Sequence, residues 1–331
     1  MKTMLRVRPR LEVLEDRCAP AVNILFDGSN LTITGDPGTT LLITQNPADV
    51  TVTDDFGAYG PYAVTGNITA ALTNTVAARS ITYALGATAA NGNVSISTGT
   101  VLGGNTVTVT GAGSIAGDFR VTGGNGSETV IIQEASIAGS VVLNLYGAYD
   151  AALVGTVTPV TIDGNLIGTG VNEFELFDNS SVGGHVILNS AGEIAAATNY
   201  FFDGGLGTES KVGGSVFIST GAVTGAGLFV FQGQIAGNLV ASLNVAPTSN
   251  TITVDSSAQI FGNVTIKGYN SSDNVTFAAG STVLGRIFVY GGNGIDTLTL
   301  NGTVLGRSII FSGGNGRDTM QVGATASMGS A

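Results

Sequence analysis

The sequence of 331 residues has one cysteine, one histidine and no tryptophan. Because Cys18 is the only cysteine, a disulfide framework and a cluster of thiolate ligands are both excluded. Charged residues make up 11% of the chain and hydrophobic residues 43%, a balance that argues against a solvated, disordered protein. No apolar run approaches the ~18 residues of a membrane-spanning helix. The chain must therefore fold without covalent crosslinks and without a helical membrane span.

Positive charge is scarce outside the first twenty residues. That segment holds five of the 12 basic residues, which are Lys2, Arg6, Arg8, Arg10 and Arg17. From residue 21 onward, 7 basic residues face 20 acidic ones, a net charge of −13. A chain that is so acidic from residue 21 onward repels phosphate backbones, which argues against nucleic acid as a partner. Cations or neutral glycans remain as candidate partners.

Glycine, by contrast, is abundant, at 50 residues, but without the three-residue period of collagen. Valine, isoleucine, threonine and asparagine are also frequent, whereas lysine and glutamate are rare. This composition disfavours helices and favours strands joined by tight turns. We therefore expect an all-β chain.

A short phrase recurs from residue 57 onward: a small or polar residue, Val or Ile, any residue, Gly, any residue, and then an alternating apolar strand. SIAGSVVL (136–143) and QIFGNVTI (259–266) are two copies. The corner glycines of the copies are Gly66, Gly92, Gly117, Gly139, Gly164, Gly184, Gly214, Gly237, Gly262, Gly285 and Gly306. Their mean spacing of 24 residues is the length of one supersecondary unit and is typical of a solenoid.

We therefore predict a right-handed parallel β-helix of about eleven rungs, each of roughly 24 residues. Each corner glycine is expected to permit a bend with positive φ and to leave room for the next rung. A β-sandwich, the alternative fold, needs turns every 8–12 residues but no corner phrase at this longer period.

The predicted organisation has four segments. Residues 1–22 form a basic leader, 23–56 an N-terminal β cap or first rungs, 57–323 the repeats, and 324–331 a loose C-terminal tail that leaves the last rung exposed or docked to another segment. The longest spacing, between Gly184 and Gly214, predicts an insertion at 189–210 that bulges out with Tyr200, Phe201 and Phe202.

The leader reads RPRLEVLEDRCAPA from Arg8 to Ala21. From its residues alone it could be an amphipathic helical turn that ends at Pro20, with Leu11 and Leu14 on one side. It also closely resembles the leader of many large planctomycete proteins thought to be exported or attached to the surface. The resemblance implies an extracellular or cell-surface location, but no activity and no catalytic residue.

Two nonapeptides, GGNGIDTLT (291–299) and GGNGRDTMQ (313–321), resemble the calcium-binding repeat of RTX proteins. The resemblance implies that glycine-turn carbonyls and an Asp carboxylate bind Ca²⁺, a hard cation that takes 6–8 oxygens. The candidate metal ligands lie in the two turns: Gly291, Gly292, Gly294, Asp296, Gly313, Gly314, Gly316 and Asp318. RTX nonapeptides are contiguous, whereas these start 22 residues apart, so they are expected in adjacent, stacked rungs.

The alternative for these turns is that Asp296 and Asp318 cap backbone donors without any metal. A third copy, GGNGSETVI (123–131), carries Glu128 in the acidic position. It is expected to matter less, because no matching copy lies one rung away.

Three other sets of polar residues have competing interpretations. Arg286 and Arg307 follow corner glycines and would stack either as a grip for a carboxylated glycan or as a solvated edge. His185 follows Gly184 and is expected at the surface, since one histidine cannot build a zinc site. The remaining set, Glu173, Glu175 and Asp178, could serve glycosidase chemistry or form an exposed face, which is the preferred interpretation.

These observations favour a non-enzymatic, secreted or cell-surface protein with a structural, adhesin-like or glycan-binding role, with Ca²⁺ as its one candidate cofactor. A polysaccharide or a component of the cell envelope is the expected partner. The alternative is a carbohydrate-active enzyme, either a polysaccharide lyase or a hydrolase, because such enzymes are also built on β-helices. Basic residues and His185 are scattered over many rungs, which disfavours that alternative.

Overall fold

Short runs of alternating apolar and polar residues become strands throughout the chain. The computed structural model describes residues 22–73, 78–86, 89–90, 92–99, 103–147, 149–177, 179–190, 198–202, 209–223, 225–245, 249–306 and 308–329. Most of the leader, with Cys18, lies outside these residues. The described residues contain strands and turns but no helix.

In chain order the strands are β1 (Val22–Phe26), β2 (Leu31–Gly35), β3 (Thr40–Gln45), β4 (Val50–Asp54), β5 (Gly57–Tyr62), β6 (Ile68–Leu72), β7 (Ser80–Leu85), β8 (Ala89–Ala90), β9 (Val94–Ser97), β10 (Asn105–Thr110), β11 (Ser114–Ile115), β12 (Phe119–Thr122), β13 (Glu128–Ile132), β14 (Ser136–Ile137), β15 (Val141–Asn144), β16 (Ala151–Val154), β17 (Thr161–Ile162), β18 (Leu166–Thr169), β19 (Glu173–Leu176), β20 (Ser181–Val182), β21 (Val186–Asn189), β22 (Thr198–Phe202), β23 (Lys211–Val212), β24 (Val216–Val223), β25 (Gly227–Phe231), β26 (Gln234–Ile235), β27 (Leu239–Val245), β28 (Asn250–Val254), β29 (Gln259–Ile260), β30 (Val264–Gly268), β31 (Asp273–Phe277), β32 (Thr282–Val283), β33 (Ile287–Asn293), β34 (Thr297–Leu300), β35 (Thr303–Val304), β36 (Ile309–Asn315), β37 (Thr319–Val322) and β38 (Ser327–Met328).

These strands form three sheets that run along one axis. The first sheet has the order β1-β2-β6-β9-β12-β15-β18-β21-β24-β27-β30-β33-β36. The second has the order β37-β34-β31-β28-β25-β22-β19-β16-β13-β10-β7-β3-β4-β5, and the third β38-β35-β32-β29-β26-β23-β20-β17-β14-β11-β8. The predicted parallel β-solenoid is confirmed, with about ten turns roughly 23 residues apart.

One rung illustrates how the chain travels. It passes through the short third-sheet strand β29, a corner at Gly262, the first-sheet strand β30, a turn, and the second-sheet strand β31. Alternate side chains of these strands point into one narrow core, where Ile260, Val264, Ile266 and Phe277 are at most 1% exposed. Burying such a side chain contributes roughly 1.5–3 kcal/mol, so the stacked rungs themselves hold the fold together.

The corner glycines are required for close approach rather than for an unusual backbone angle. Among the described glycines, those with positive φ lie outside the eleven corners, so the expected positive φ at the corners was wrong. A Cβ added at Gly262 would lie only 2.5 Å from the carbonyl oxygen of Gly237, one rung away. The expectation that the corners leave room for the neighbouring rung is confirmed.

The predicted bulge between Gly184 and Gly214 is wrong for its aromatic residues. Tyr200 and Phe202 belong to β22 in the second sheet and are at most 2% exposed. Their rings pack against aromatic residues of the neighbouring rungs, with Tyr200 5.6 Å from Phe229 and Phe202 5.2 Å from Phe231, centroid to centroid. The strand alternates normally, so only Phe201 points outward.

Both ends of the described solenoid depart from the regular rung. At the N-terminal end β1 pairs antiparallel with β2, and β3, β4 and β5 form an antiparallel group, so β5 lies within the predicted repeats without repeat geometry. Near the C-terminal end β38 still pairs with β35, which extends the third sheet into the predicted tail. In this last rung Met320, Val322 and Met328 are 42–64% exposed.

Candidate functional site

Polar side chains occupy one equivalent position in nearly every rung, at the start of the second-sheet strand. We call this set the turn column. Strand pairing and backbone contacts align its members: Arg79, Asn105, Glu128, Asp150, Asn172, Thr198, Asn250, Asp273, Asp296 and Asp318, with Gly227 between Thr198 and Asn250. All but Asp318 and Gly227 are polar side chains at most 3% exposed. So many buried polar groups in one line make this the candidate functional site.

The glycine-rich turns build the C-terminal part of the column. Gly292 and Gly294 have φ values of +102° and +146°, conformations that favour glycine. Gly291 has a different role, because a Cβ there would collide with the carboxylate of Asp296. The turn of Gly313 to Asp318 repeats all three features one rung later, and the two turns stack in register.

One carboxylate oxygen of each acid caps the backbone of the preceding rung. The N–H of Asp273 donates to Oδ1 of Asp296 at 2.8 Å, and the N–H of Asp296 donates to Oδ1 of Asp318 at 3.0 Å. This is the capping role that was the alternative to metal binding, and it accounts for Oδ1 but not for the second oxygen.

The second oxygens form a line of buried acceptors without donors. Within the described part of the chain, Asn250 Oδ1, Asp273 Oδ2 and Asp296 Oδ2 are inaccessible to solvent and have no hydrogen-bond partner. Burial, together with the neighbouring Asp296 carboxylate, raises the pKa of Asp273 to about 6. Burial and the Asp318 carboxylate likewise raise the pKa of Asp296. A negative charge here lacks compensation, so the two carboxylates could hold protons, or all three oxygens could bind a cation.

The turn at Asp273 was missed in the sequence, although it carries a signal. GYNSSD (268–273) preserves the first glycine, the asparagine and the acid of GGNGID, and a Cβ at Gly268 would collide with Asp273 Oδ2. The asparagines of the three turns form an exposed ladder, with amide hydrogen bonds of 2.7 Å from Asn293 to Asn270 and from Asn315 to Asn293. The spacing of Gly, Asn and Asp in the sequence is therefore the signal that identifies the turn at 268–273.

The expectation that Glu128 has no matching neighbour was wrong. The N–H of Glu128 donates to Oδ1 of Asp150 at 2.7 Å, and Nδ2 of Asn105 donates to Oε1 of Glu128 at 3.2 Å. Glu128 Oε2 and Asn105 Oδ1 are both buried without a partner, and burial raises the pKa of Asp150. Asp150 was hidden because its turn is shorter, with Gly147 only three residues before the acid.

A second line of side chains, the corner column, follows the corner glycines in the first sheet. Each member accepts the N–H of its equivalent in the next rung, as Asn238 Oδ1 does from Asn263 at 2.8 Å. The column comprises Asn30, Asn67, Asn93, Asp118, Ser140, Asn165, His185, Ser215, Asn238 and Asn263, and it ends at the N–H of Arg286. The position after the corner glycine, where the repeat phrase allowed any residue, therefore mostly carries a side chain that accepts a hydrogen bond.

His185 and the outward glutamates have surface contacts. Nδ1 of the exposed His185 accepts the N–H of Ser215 at 2.9 Å, so the histidine replaces an asparagine in the corner column. Glu173 and Glu175 point outward from β19, and Glu173 Oε2 accepts from the Tyr149 hydroxyl at 2.7 Å. Desolvation, and then this hydrogen bond, raises the pKa of Tyr149 to about 12. Asp178 lies outside the described residues.

The basic residues do not neutralise the turn column where it is most acidic. In the described ranges the ion pairs are Arg79 with Asp36 at 2.8 Å and Arg120 with Asp118 at 2.7 Å. Arg286 and Arg317 are exposed, and Arg307 lies outside the described residues, so the stacking of Arg286 with Arg307 stays a prediction. Next to the buried acids, the turn column contains neutral residues: Asn250 lies beside Asp273, and Asn172 lies beside Asp150.

The described residues contain neither a cluster of metal-ligating acids, histidines or cysteines nor a helix that could span a membrane. No three His, Cys, Asp or Glu side chains there are grouped so as to hold a metal ion, so an ion would also need amide or carbonyl oxygens. No helix of the described chain is long and apolar enough to span a bilayer. In comparisons with protein-family models, curated proteins and solved structures, nothing matches the chain.

Proposed function

We propose that the chain is a non-enzymatic rod, secreted or held at the cell surface, whose stacked turns are stabilised by Ca²⁺. The observation that carries the proposal is the line of buried, donorless oxygens at Asn250, Asp273 and Asp296. None of these three oxygens receives a hydrogen bond, and a hard cation with oxygen ligands satisfies acceptors of this kind. The rod itself would serve as a spacer or adhesion module.

The fit to Ca²⁺ rests on ligand chemistry and on rung spacing. Equivalent residues of neighbouring parallel strands are about 4.8 Å apart, and Ca²⁺ binds oxygen at about 2.3–2.6 Å, so an ion between two rungs is within reach of both. Two carboxylates and one amide oxygen would supply charge and three ligands. Carbonyls of the glycine-rich turns or water would supply the others.

The proposed ion is shifted by one rung from the pair predicted from the nonapeptides. Asp273 and Asp296 are 2% and 1% exposed, whereas Asp318 is only half-buried. Neutralising a buried pair of carboxylates stabilises the fold more than neutralising an exposed pair, because water does not screen the repulsion between buried charges. Asp318 then serves mainly to cap Asp296, as its Oδ1 contact indicates.

An extracellular location supports the same proposal. Calcium sites in extracellular modules often have dissociation constants of about 10⁻⁴–10⁻³ M, which suit the high calcium concentration outside cells. The resemblance of the leader to those of exported proteins points to the same compartment. In this view Ca²⁺ fixes the turns after export.

Several features favour a binding or structural role over catalysis. One surface groove, with a volume of about 270 Å³, is lined by aliphatic, aromatic, Ser and Asn side chains. A second groove, of about 460 Å³, is lined by aliphatic residues, Met and Ser. None of the residues that line these two grooves is titratable. Glu173, the best candidate acid, is hydrogen-bonded to Tyr149 on an outward sheet face. General acid–base chemistry needs a positioned pair at the reacting bond.

The decisive experiment is calcium titration of the purified full chain by isothermal calorimetry, together with thermal unfolding in EDTA and in 10 mM Ca²⁺. At ten to one hundred times the dissociation constant, Ca²⁺ should stabilise the fold by about 1.4–2.7 kcal/mol. Asp296→Asn should abolish most of this gain, while Asp163→Asn, at an exposed corner, should not. Absence of both heat and a thermal shift would leave the turns metal-free and overturn the calcium proposal.

The non-enzymatic part is tested separately with a panel of acidic and neutral polysaccharides. Incubation should release no reducing ends and no unsaturated products. Product release that is lost in Glu173→Gln or Glu175→Gln would favour the carbohydrate-active enzyme instead.

A further inference from the structure

Two columns of side chains run in register along the outside of the first sheet. An apolar column contains Val142, Ile167, Ile187, Phe217 and Val240. Beside it runs a polar column of Asn144, Thr169, Asn189, Ser219 and Ser242. Together we call these ten residues the neutral strip. Five stacked strands make it about 19 Å long, with one apolar and one polar residue across its width.

The neutral strip is uncharged in a chain whose net charge is −11. Its ten side chains are Val, Ile, Phe, Asn, Thr and Ser, and the next outward positions of the same columns carry Arg120 at one end and Lys267 at the other. The acidic residues of the body lie elsewhere, so the strip does not itself repel or attract ions. A ligand that fits it is therefore neutral, with one apolar side and one side rich in hydroxyl groups.

The middle of the strip is the part most accessible to a ligand. Ile187 and Phe217 are 37% and 38% exposed, and they line the groove of about 270 Å³ together with Asn189, Ser219 and Val240. The ring of His185 lies 5.8 Å from that of Phe217, so a second ring lies beside the strip at this point.

The dimensions of the strip favour a single extended chain over a folded partner. A strip about 19 Å long and two residues wide offers on the order of 200 Å², whereas a stable protein interface buries about 800 Å² per partner. A linear polysaccharide is narrow enough. Its pyranose rings present apolar C–H faces and polar hydroxyl edges, which match the two columns.

We propose that the neutral strip binds a neutral, linear polysaccharide lengthwise, with sugar faces on Ile187 and Phe217 and hydroxyls on Asn189 and Ser219. The inference deepens the proposed function of a non-enzymatic surface rod and rests on it, because it supplies the partner of the adhesion module. Acidic polysaccharides should bind less well, since the rest of the body is acidic and repels them.

The test is affinity electrophoresis of the full chain in gels that contain hydroxyethyl cellulose, xylan or alginate, followed by calorimetry with cellohexaose or xylohexaose. The neutral polymers should retard the protein and alginate should not. Phe217→Ala should weaken binding about tenfold, equivalent to about 1.4 kcal/mol. Phe201→Ala is the matched control, because Phe201 points outward from the second sheet. Ser219→Glu adds a charge at an exposed position within the strip and should abolish binding.

Several outcomes would overturn the assignment. These are an absence of retardation by every neutral polymer, retention of binding in both Phe217→Ala and Ser219→Glu, or loss of binding in Phe201→Ala alone. Sedimentation that shows a dimer dissociated by Phe217→Ala would assign the strip to a second copy of the chain. Binding accompanied by product release would support the strip and refute the non-enzymatic rod, so the two proposals can fail separately.

Discussion

Replacing Asp273 with asparagine removes a buried charge while preserving the size of the side chain. Oδ1 of Asp273 accepts from Asn250 Nδ2 at 2.7 Å and from Ser271 Oγ at 2.9 Å, contacts that an asparagine oxygen can also make. Its Oδ2 has no donor, and the new amide would place N–H groups there instead. In calcium-free solution at pH 7.5 we therefore expect Asp273→Asn to be more stable than the wild type.

The magnitude follows from the pKa of Asp273, which rises from its usual 3.8 to about 6 in the folded protein. Since the folded state binds this proton more tightly than the unfolded chain, the stability that Asp273 contributes is fully present below about pH 4. It is lost as the pH rises through about 6. A rise of the pKa from 3.8 to about 6 corresponds to about 3 kcal/mol, and screening by nearby solvent reduces the expected loss to about 1–2 kcal/mol. Asp273→Asn should show little of this loss.

The assay is thermal unfolding in EDTA at pH 4, 6 and 7.5, repeated at pH 7.5 with 10 mM Ca²⁺. The variant should exceed the wild type only at the higher pH values, and Ca²⁺ should narrow or reverse the difference because the variant lacks a charged ligand. The exposed Asp163→Asn serves as the charge-matched control. Identical pH profiles for wild type and Asp273→Asn would refute the assignment of a strained, uncompensated charge to the turn column.

Substitutions at three further sites, two of them with a matched control, test the packing and the corner column. Gly262→Val should cost about 1–3 kcal/mol in urea unfolding because its side chain would overlap the Gly237 backbone, whereas the outward Thr265→Val should change stability by less than about 0.5 kcal/mol. His185→Ala should cost about 1 kcal/mol because it removes the acceptor for a backbone N–H, and His185→Asn should restore the midpoint. Tyr200→Phe should cost about 1–2 kcal/mol, since its buried hydroxyl donates to a backbone carbonyl at 2.7 Å, and calorimetric unfolding would measure the loss.

The repeat phrase was sufficient to predict the solenoid because it marks the same structural position in every rung. Ser136 and Ile137, for example, pair with Ser114 and Ile115 of the previous copy, as their places in the phrase require. The spacing of the corner glycines led to a wrong prediction for Tyr200 because the chain between Gly184 and Gly214 is longer than one regular rung. A strand within that stretch has no fixed distance from either corner glycine, and its aromatic run resembles an exposed loop as much as a core strand.

The turn column was only partly predictable, for a similar reason. The identical GGNG turns led to Asp296 and Asp318, but turn length varies between rungs while the strand register does not. Asp150 and Asp273 occupy the same column through turns of different sequence, so a search for one motif could not find them. Ser271, a further polar residue of the turn before Asp273, is 2% exposed and hydrogen-bonded to Asp273.

The two columns meet the same need with different chemistry. At two of the three strand starts of a rung, a side chain of a neighbouring rung accepts a backbone N–H. Most members of the corner column are exposed or half-buried, and most are neutral acceptors such as Asn238. Water can therefore hydrogen-bond to any acceptor that the protein leaves unpaired. The turn column is buried at Asp273 and Asp296, and the second carboxylate oxygens of these two residues receive no hydrogen bond from the protein. A chain that needed only backbone caps could have used asparagine at both places. The choice of acids at the buried turns is therefore the strongest support for the proposed cation.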